Sequence, residues 1–231
     1  MKPEPNQDEE FAQWLEQIAR PAQLSGKPLA VPNQLEAVQA MPGGWLFSLV
    51  AAGPVALVSA VMIVALGTRG LRLMTDGQIA AFILIGFVVL GAAVRWFYQE
   101  AKPGSRVMVP GGWAMGAVGA GVGGFLWTGF ALRPDWPHFV TSGLVCLSIG
   151  TGSSIAAGWL LAKVAKMGYA VDAQNASWAA GTLATLAGWI VLQIYCPKQE
   201  MAHLGTWHSA ALVAGAATSA ALTRRGFKLR A

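Results

Sequence analysis

Five side chains carry most of the chemistry open to this sequence: Cys146, Cys196, His138, His203 and His208. Soft thiolates together with imidazoles suit zinc, cadmium or copper(I). Two thiols can instead pair as a disulfide where the compartment is oxidising. Each residue also has a plainer reading. A cysteine in an apolar helix is often a small packing residue. His203 and His208 lie five apart, off the i,i+4 spacing by which an α-helix brings two side chains to one site. That spacing suits two separate interfacial polar residues. No resident cofactor is expected, and the cysteines allow a transient metal ion.

The elements that position these residues are apolar. Hydrophobic residues make up 55% of the chain and charged residues 12%, about half the usual charged share. Glu4, Asp8, Glu9, Glu10, Glu16 and Glu36 all fall in the first forty positions. Beyond them come six charge-free runs, at 45–68, 77–94, 107–132, 139–162, 173–197 and 201–223, none shorter than 18 residues. A helix needs roughly 20 residues to cross ~30 Å of hydrocarbon. The runs are too long for barrel strands and lack two-residue alternation. The expected fold is therefore all-α: a polytopic membrane protein with six transmembrane helices in a compact bundle over 44–231, ending in a short basic tail. Residues 1–43 form a cytoplasmic N-terminal segment. The first run is too long for a signal-peptide core and reads as a signal anchor.

Lys and Arg set the orientation. With the N-terminus inside, Lys2, Arg20, Lys27, Arg95, Lys102, Arg106, Lys163, Lys166, Arg224, Arg225, Lys228 and Arg230 are cytoplasmic, and Arg69, Arg72, Arg133 and Lys198 are outside. The positive-inside rule then places both termini in the cytoplasm, and the expected location is a bacterial inner membrane. On that topology all five thiols and imidazoles lie toward the outer side. His138 opens the fourth span, and Cys146 lies eight residues below it, or ~12 Å at helical rise. Cys196 closes the fifth span. For the two sulfurs to meet, Cys146 must sit higher than this, or Cys196 lower.

Within the first 43 residues, Phe11, Trp14, Leu15 and Ile18 recur at i, i+3, i+4 and i+7. Asp8 can cap this helix and Pro21 closes it. Such a stripe suits either a helix lying on the bilayer or one docking a soluble partner. In the third run, Gly112, Gly116, Ala120 and Gly124 form a small-xxx-small ladder of the kind that lets helices approach closely. Pro54 is expected to kink the first span.

No Asp, Glu, Lys or Arg falls near the middle of any run. Pumps and coupled carriers usually need such a group. Ser153 and Ser154 have no histidine at matching depth to act as a base. An enzyme is thus not expected, and neither nucleic-acid binding nor a small-molecule substrate is. A small transporter or permease subunit, or a structural assembly subunit with membrane partners, remains the alternative.

Several stretches resemble the NrsF-like membrane proteins, negative regulators of an extracytoplasmic-function (ECF) sigma factor. They are Gly143-Leu-Val-Cys146-Leu147, Ala180-Gly181-Thr-Leu-Ala-Thr-Leu-Ala-Gly188 and Tyr195-Cys196-Pro197, followed by Trp207-His208 and Arg224-Arg225. The cysteines lie 50 positions apart. The resemblance is clearest over 140–228 and extends through topology back to 45. It implies a membrane anti-sigma factor that holds an ECF sigma factor and releases it on redox or heavy-metal stress. Cys146 and Cys196 would be its sensing residues, with His208 in support.

Overall fold

The structure is a computed structural model and describes residues 43–102, 136–166 and 172–227, together with Gly116, Gly119 and Gly123. Among the described residues there are helices and no β-strand. We number the long helices α1 (Gly44–Leu66), α2 (Asp76–Ala101), α3 (Trp136–Ala165), α4 (Ala173–Tyr195) and α5 (Ser209–Phe227). A 3-10 turn, Leu71–Leu73, lies between α1 and α2. A short α-helical turn, Met201–His203, and a π-helical turn, Leu204–His208, lead into α5.

Local sequence explains the helix boundaries. Thr75 starts α2 through a reciprocal cap: its hydroxyl accepts from Gln78 N at 3.3 Å, and the Gln78 Oε1 accepts from Thr75 N at 2.8 Å. Asp172 starts α4 by accepting from Gln174 N and Asn175 N at 2.9 and 3.1 Å. Gly67, at φ 86°, ends α1 in the left-handed region that glycine adopts without steric cost. Pro54 lies inside α1, which continues through it.

Helix α4 is the axis of the assembly and touches α1, α2, α3 and α5. Its inner residues are nearly all Ala, Gly, Ser, Thr or Leu, and they are buried from Ala179 to Trp189. Small side chains let backbones come together, so that dispersion and cross-helix hydrogen bonds can hold them. The Ser219 hydroxyl donates to Ser154 O at 2.9 Å, the Thr185 hydroxyl to Leu212 O at 2.9 Å, and the Thr223 hydroxyl to Ser177 O at 3.4 Å. These pairings make α4 antiparallel to α5, and α3 parallel to α5. Against this trio, α1 and α2 add larger residues. Phe47 meets Phe97 and Tyr98 at 5.5 and 5.3 Å between ring centroids, and Phe82 meets Trp189 at 5.0 Å.

Among the described residues, four helices are long and apolar enough to cross a membrane: Gly44–Leu66, Asp76–Ala101, Pro137–Ala165 and Ala173–Tyr195. They match four of the six expected spans, three of them to within three residues at each end, while the second runs seven residues past its charge-free stretch to Ala101. The expected count of six is not reached among the described residues, for two reasons. The run at 107–132 lies outside them, except that Gly116, Gly119 and Gly123 are helical. The run at 201–223 is divided by a π turn, which leaves α5 too short an apolar stretch, from Ser209 to Thr223, before Arg224 and Arg225. The expected N-terminal helix with Phe11, Trp14, Leu15 and Ile18, and the ladder positions Gly112, Ala120 and Gly124, also lie outside the described residues.

A buried thiol–imidazole cluster

Four of the five chemistry-bearing residues meet at one end of α4. Cys146 lies on α3, ten positions in from Trp136; Cys196 is the C-cap of α4; His203 and His208 bracket the π turn. All four are buried, and their ligand atoms lie within 4.8 Å of one another. The Cys146 thiol donates to the Cys196 sulfur at 3.4 Å. The Nε2 of His203 lies 3.4 Å from the Cys146 Sγ and 3.5 Å from the Cys196 Sγ. Both cysteines are free thiols.

Helix stagger brings the sulfurs level. The first ten residues of α3 run past the end of α4, a projection of ~15 Å at helical rise. Cys146 and Cys196 then face each other across the antiparallel pair. This is the depth adjustment that the sequence required. The stretch after Cys196 folds back into the space beside the projecting part of α3. There Phe139 meets the His203 ring at 6.2 Å, edge-on, and the Trp207 ring at 5.9 Å.

The π turn explains how two histidines five residues apart reach one site. In a π-helix the backbone bonds run i to i+5, so residues at that spacing stack on one face. The His203 and His208 rings are 5.7 Å apart at 77°. An α-helix would have splayed them, which is why sequence spacing alone argued against a pair. His138 does not join them. It sits exposed in the first turn of α3, where its carbonyl accepts from the Thr141 and Ser142 hydroxyls.

Other residues shape the cluster without offering a ligand. Trp207 packs directly on Gly143, and a Cβ there would collide with the indole ring. Gly70 lies against the Cys196 carbonyl, so the 3-10 turn after α1 abuts the end of α4. Gln199 Nε2 donates to Cys196 O at 3.0 Å and fixes the turn out of α4. None of these was singled out from sequence for this role, because a glycine that admits a ring from a distant segment carries no local signal. Gly116, from the predicted ladder, is helical and exposed, and a Cβ there would meet nothing within 4 Å. Ser153 and Ser154 donate back to the Ile149 and Gly150 carbonyls at 2.8 Å.

The electrostatics favour a thiolate and a neutral imidazole. The hydrogen bond from Cys146, with the His203 imidazole alongside, holds the Cys196 thiol below its ordinary range against the opposing effect of burial. Burial pushes His208 down, which keeps its ring neutral and a nitrogen lone pair open. Neither His208 nitrogen has a hydrogen-bond partner among the described residues. A buried polar group left in that state costs about 1–3 kcal/mol.

The described residues form an all-α bundle of apolar helices with a buried thiol–imidazole cluster at one end. The NrsF family, described as negative regulator of sigma F, matches residues 32–228. That is most of the chain, and the chain belongs to this family of negative regulators of a sigma factor. The amphipathic stripe at Phe11–Ile18 precedes the matched stretch. No curated protein and no solved structure matches the chain.

Proposed function

We propose that this chain is a membrane-integral anti-sigma factor, holding an ECF-type sigma factor at the bacterial inner membrane and releasing it on redox or heavy-metal stress. The observation that carries the reading is the contact of two buried free thiols, 50 positions apart in sequence and 3.4 Å apart in space, in a member of a sigma-regulator family. Oxidation to a disulfide, or capture of a soft metal, would draw the two sulfurs into a new bonded geometry. Either event repacks the end of α3 against the end of α4 and biases a two-state bundle.

The apolar exterior supports a membrane setting. Leu49, Leu57, Val61, Val64, Phe87 and Val88 are exposed large side chains on α1 and α2, and a water-soluble surface rarely carries so many together. In the proposed arrangement α5 and a helix from 107–132 complete six spans. The orientation follows from charge. Arg95, Lys102, Lys163, Arg224 and Arg225 close α2, α3 and α5, at the end away from the cluster. The positive-inside rule makes that end cytoplasmic and the cluster periplasmic. Residues 1–43, with Phe11, Trp14, Leu15 and Ile18, are then the docking arm for the sigma factor.

The test has two arms. Crosslinking from residues 1–43 in cells should capture a sigma factor, and Cys146→Ser or Cys196→Ser should alter its release by cadmium, chromate or peroxide. Serine variants that respond as the wild type does would remove the cysteines from the mechanism. Capture of a stoichiometric membrane partner in place of a sigma factor would favour a structural assembly subunit.

A further inference from the structure

The geometry points to a closed four-coordinate site in which Cys146, Cys196, His203 and His208 together bind one divalent d10 cation, zinc or cadmium. This deepens the sensing reading above, and its own claim is the ligand set: both histidines bind the metal, and His138 does not.

Distances support it first. With metal–sulfur bonds of ~2.3 Å and metal–nitrogen bonds of ~2.0–2.1 Å, the edges of a tetrahedron around zinc measure ~3.3–3.8 Å. The sulfur–sulfur distance is 3.4 Å, and the two sulfur–Nε2 distances at His203 are 3.4 and 3.5 Å. Both sulfur–nitrogen edges at His203 are therefore already at ligating length, and the two sulfurs need to part by only about 0.4 Å to reach the ~3.8 Å of a zinc-bound pair. The His208 ligand nitrogen lies within 4.8 Å of the other three atoms, in reach of the fourth vertex.

The state of His208 is a second, independent observation. Its side chain is 2% exposed, yet neither ring nitrogen has a hydrogen-bond partner among the described residues. Buried imidazoles ordinarily find one. A metal bond would satisfy the orphaned nitrogen.

Charge selects the ion. Two thiolates and two neutral imidazoles carry a charge of about −2, and a divalent cation makes the site neutral, as a buried, apolar setting demands. Copper(I) would leave a net negative charge there. Hard cations that prefer six or more oxygens find none offered by this set. Binding displaces the thiol protons to solvent, so affinity rises with pH. The π turn has a definite part: it is the local winding that stacks residues 203 and 208.

Cobalt(II) titration of the reduced, full-length protein in detergent tests the ligand set. One cobalt per chain is expected, with the intense visible bands of tetrahedral sulfur–nitrogen coordination and stoichiometric displacement by cadmium. His203→Ala and His208→Ala should each weaken cobalt binding on the order of 10-fold or more, since loss of a direct ligand exceeds the loss of an outer-shell partner. His138→Ala should bind as the wild type does. His208→Cys should retain the ion and gain thiolate-to-cobalt charge-transfer intensity from a third sulfur. This variant also decides the matter if the alanine variants do not fold. Absence of cobalt and cadmium binding in the wild type overturns the inference. So does wild-type affinity in both histidine-to-alanine variants, or unchanged charge transfer in His208→Cys. If all four ligands bind the ion while cadmium leaves the sigma factor held in cells, the site stands and the sensing reading falls. If the serine variants abolish release while the histidine variants bind metal as the wild type does, the sensing reading stands and the ligand set falls.

Discussion

The pair α1–α2 and the trio α3–α4–α5 are built on opposite principles. In the most apolar stretch of α1 and of α2, 22% of residues are buried, whereas the share is 39% in α3 and 83% in α4, the centre of the trio. The pair turns Leu57, Val61, Phe87 and Val88 outward and keeps only a narrow inner stripe, such as Phe47, Ala51 and Val55 on α1. Its inner contacts are rings and branched chains that tolerate small shifts. The trio is made of small residues with backbones in direct contact, and at Gly143, Gly150, Gly158, Gly181, Gly188 and Gly215, though not at Gly152, a Cβ has no room. A Cβ on Gly188 would strike the Gly150 carbonyl and the Ser154 hydroxyl, and one on Gly181 would strike the Ala216 carbonyl. A Cβ on Gly53 or Gly91, in the pair, would meet nothing within 4 Å. The cluster sits on the rigid trio. Its geometry depends on the α3–α4 separation, and that separation is set by glycines.

The largest effect should therefore come from Gly188→Ala. The obstacle is backbone, which cannot rotate away, so α3 and α4 must separate. Overpacking of this kind costs about 1–3 kcal/mol, sometimes more, and unfolding by denaturing detergent should show it directly. The added distance should also appear at the cluster, as slower disulfide formation between Cys146 and Cys196 under a mild oxidant. Wild-type stability with wild-type crosslinking would mean that the close α3–α4 contact is not a feature of the protein in solution.

Gly143→Ala should come next, acting on the cover of the cluster rather than on its base. The new methyl displaces the Trp207 ring, while the α3–α4 contact at Gly150 and Gly188 stays intact. An opening equilibrium shifted by about 1.4 kcal/mol is a tenfold change. Alkylation of the two cysteines by a maleimide should accelerate on the order of 10-fold, with little change in unfolding. If the rate is unchanged, Trp207 is not what excludes reagents.

These two positions also mark how far the sequence can be read. The charge-free runs located α1, α2, α3 and α4 closely, because hydrocarbon-length apolarity is a local property of the chain. The two cysteines and all three histidines were visible as a candidate group, because few other side chains could do chemistry; His138, exposed on α3, lies outside the cluster. Their convergence was not visible, for two physical reasons. Spans read from hydropathy are drawn level with one another, whereas α3 is staggered past α4, and the stagger is what aligns Cys146 with Cys196. Helical spacing was counted at the α-helical period, whereas Leu204–His208 is wound as a π turn. The run at 201–223 looked like one uninterrupted span because Ala, Gly, Ser and Thr carry no mark of that change. The roles of Gly143 and Gly70 depend on contacts with residues more than sixty positions away, which no pattern along the chain encodes.

The hydrogen bonds within the trio should matter less than its steric contacts. Ser219→Ala keeps the Cβ that fits against Gly158 and removes the bond to Ser154 O. Cross-helix bonds of this type average about 0.6 kcal/mol. A loss from Ser219→Ala as large as that from Gly188→Ala would mean that polar pairing, and not close approach, holds the trio together.

The smallest effect, with the opposite sign, should come from the pair. Gly53→Ala places a methyl where nothing lies within 4 Å, in the interior of a helix where Ala is the better helix former by about 0.8–1.0 kcal/mol. No neighbour has to move, so the variant should unfold slightly later than the wild type and leave the cluster unchanged. Gly91→Ala in α2 should behave alike, since its surroundings are equally open. Destabilisation at both positions by an amount near that of Gly188→Ala would show that the outward face of α1–α2 is covered by a further helix or a second copy. The contrast between a loosely held pair and a tight trio would then be a contrast between two interfaces, one of them formed with partners beyond the described residues. Silence or slight gain at Gly53 and Gly91, set against loss at Gly188, ties the packing constraint to the helices that carry the thiols.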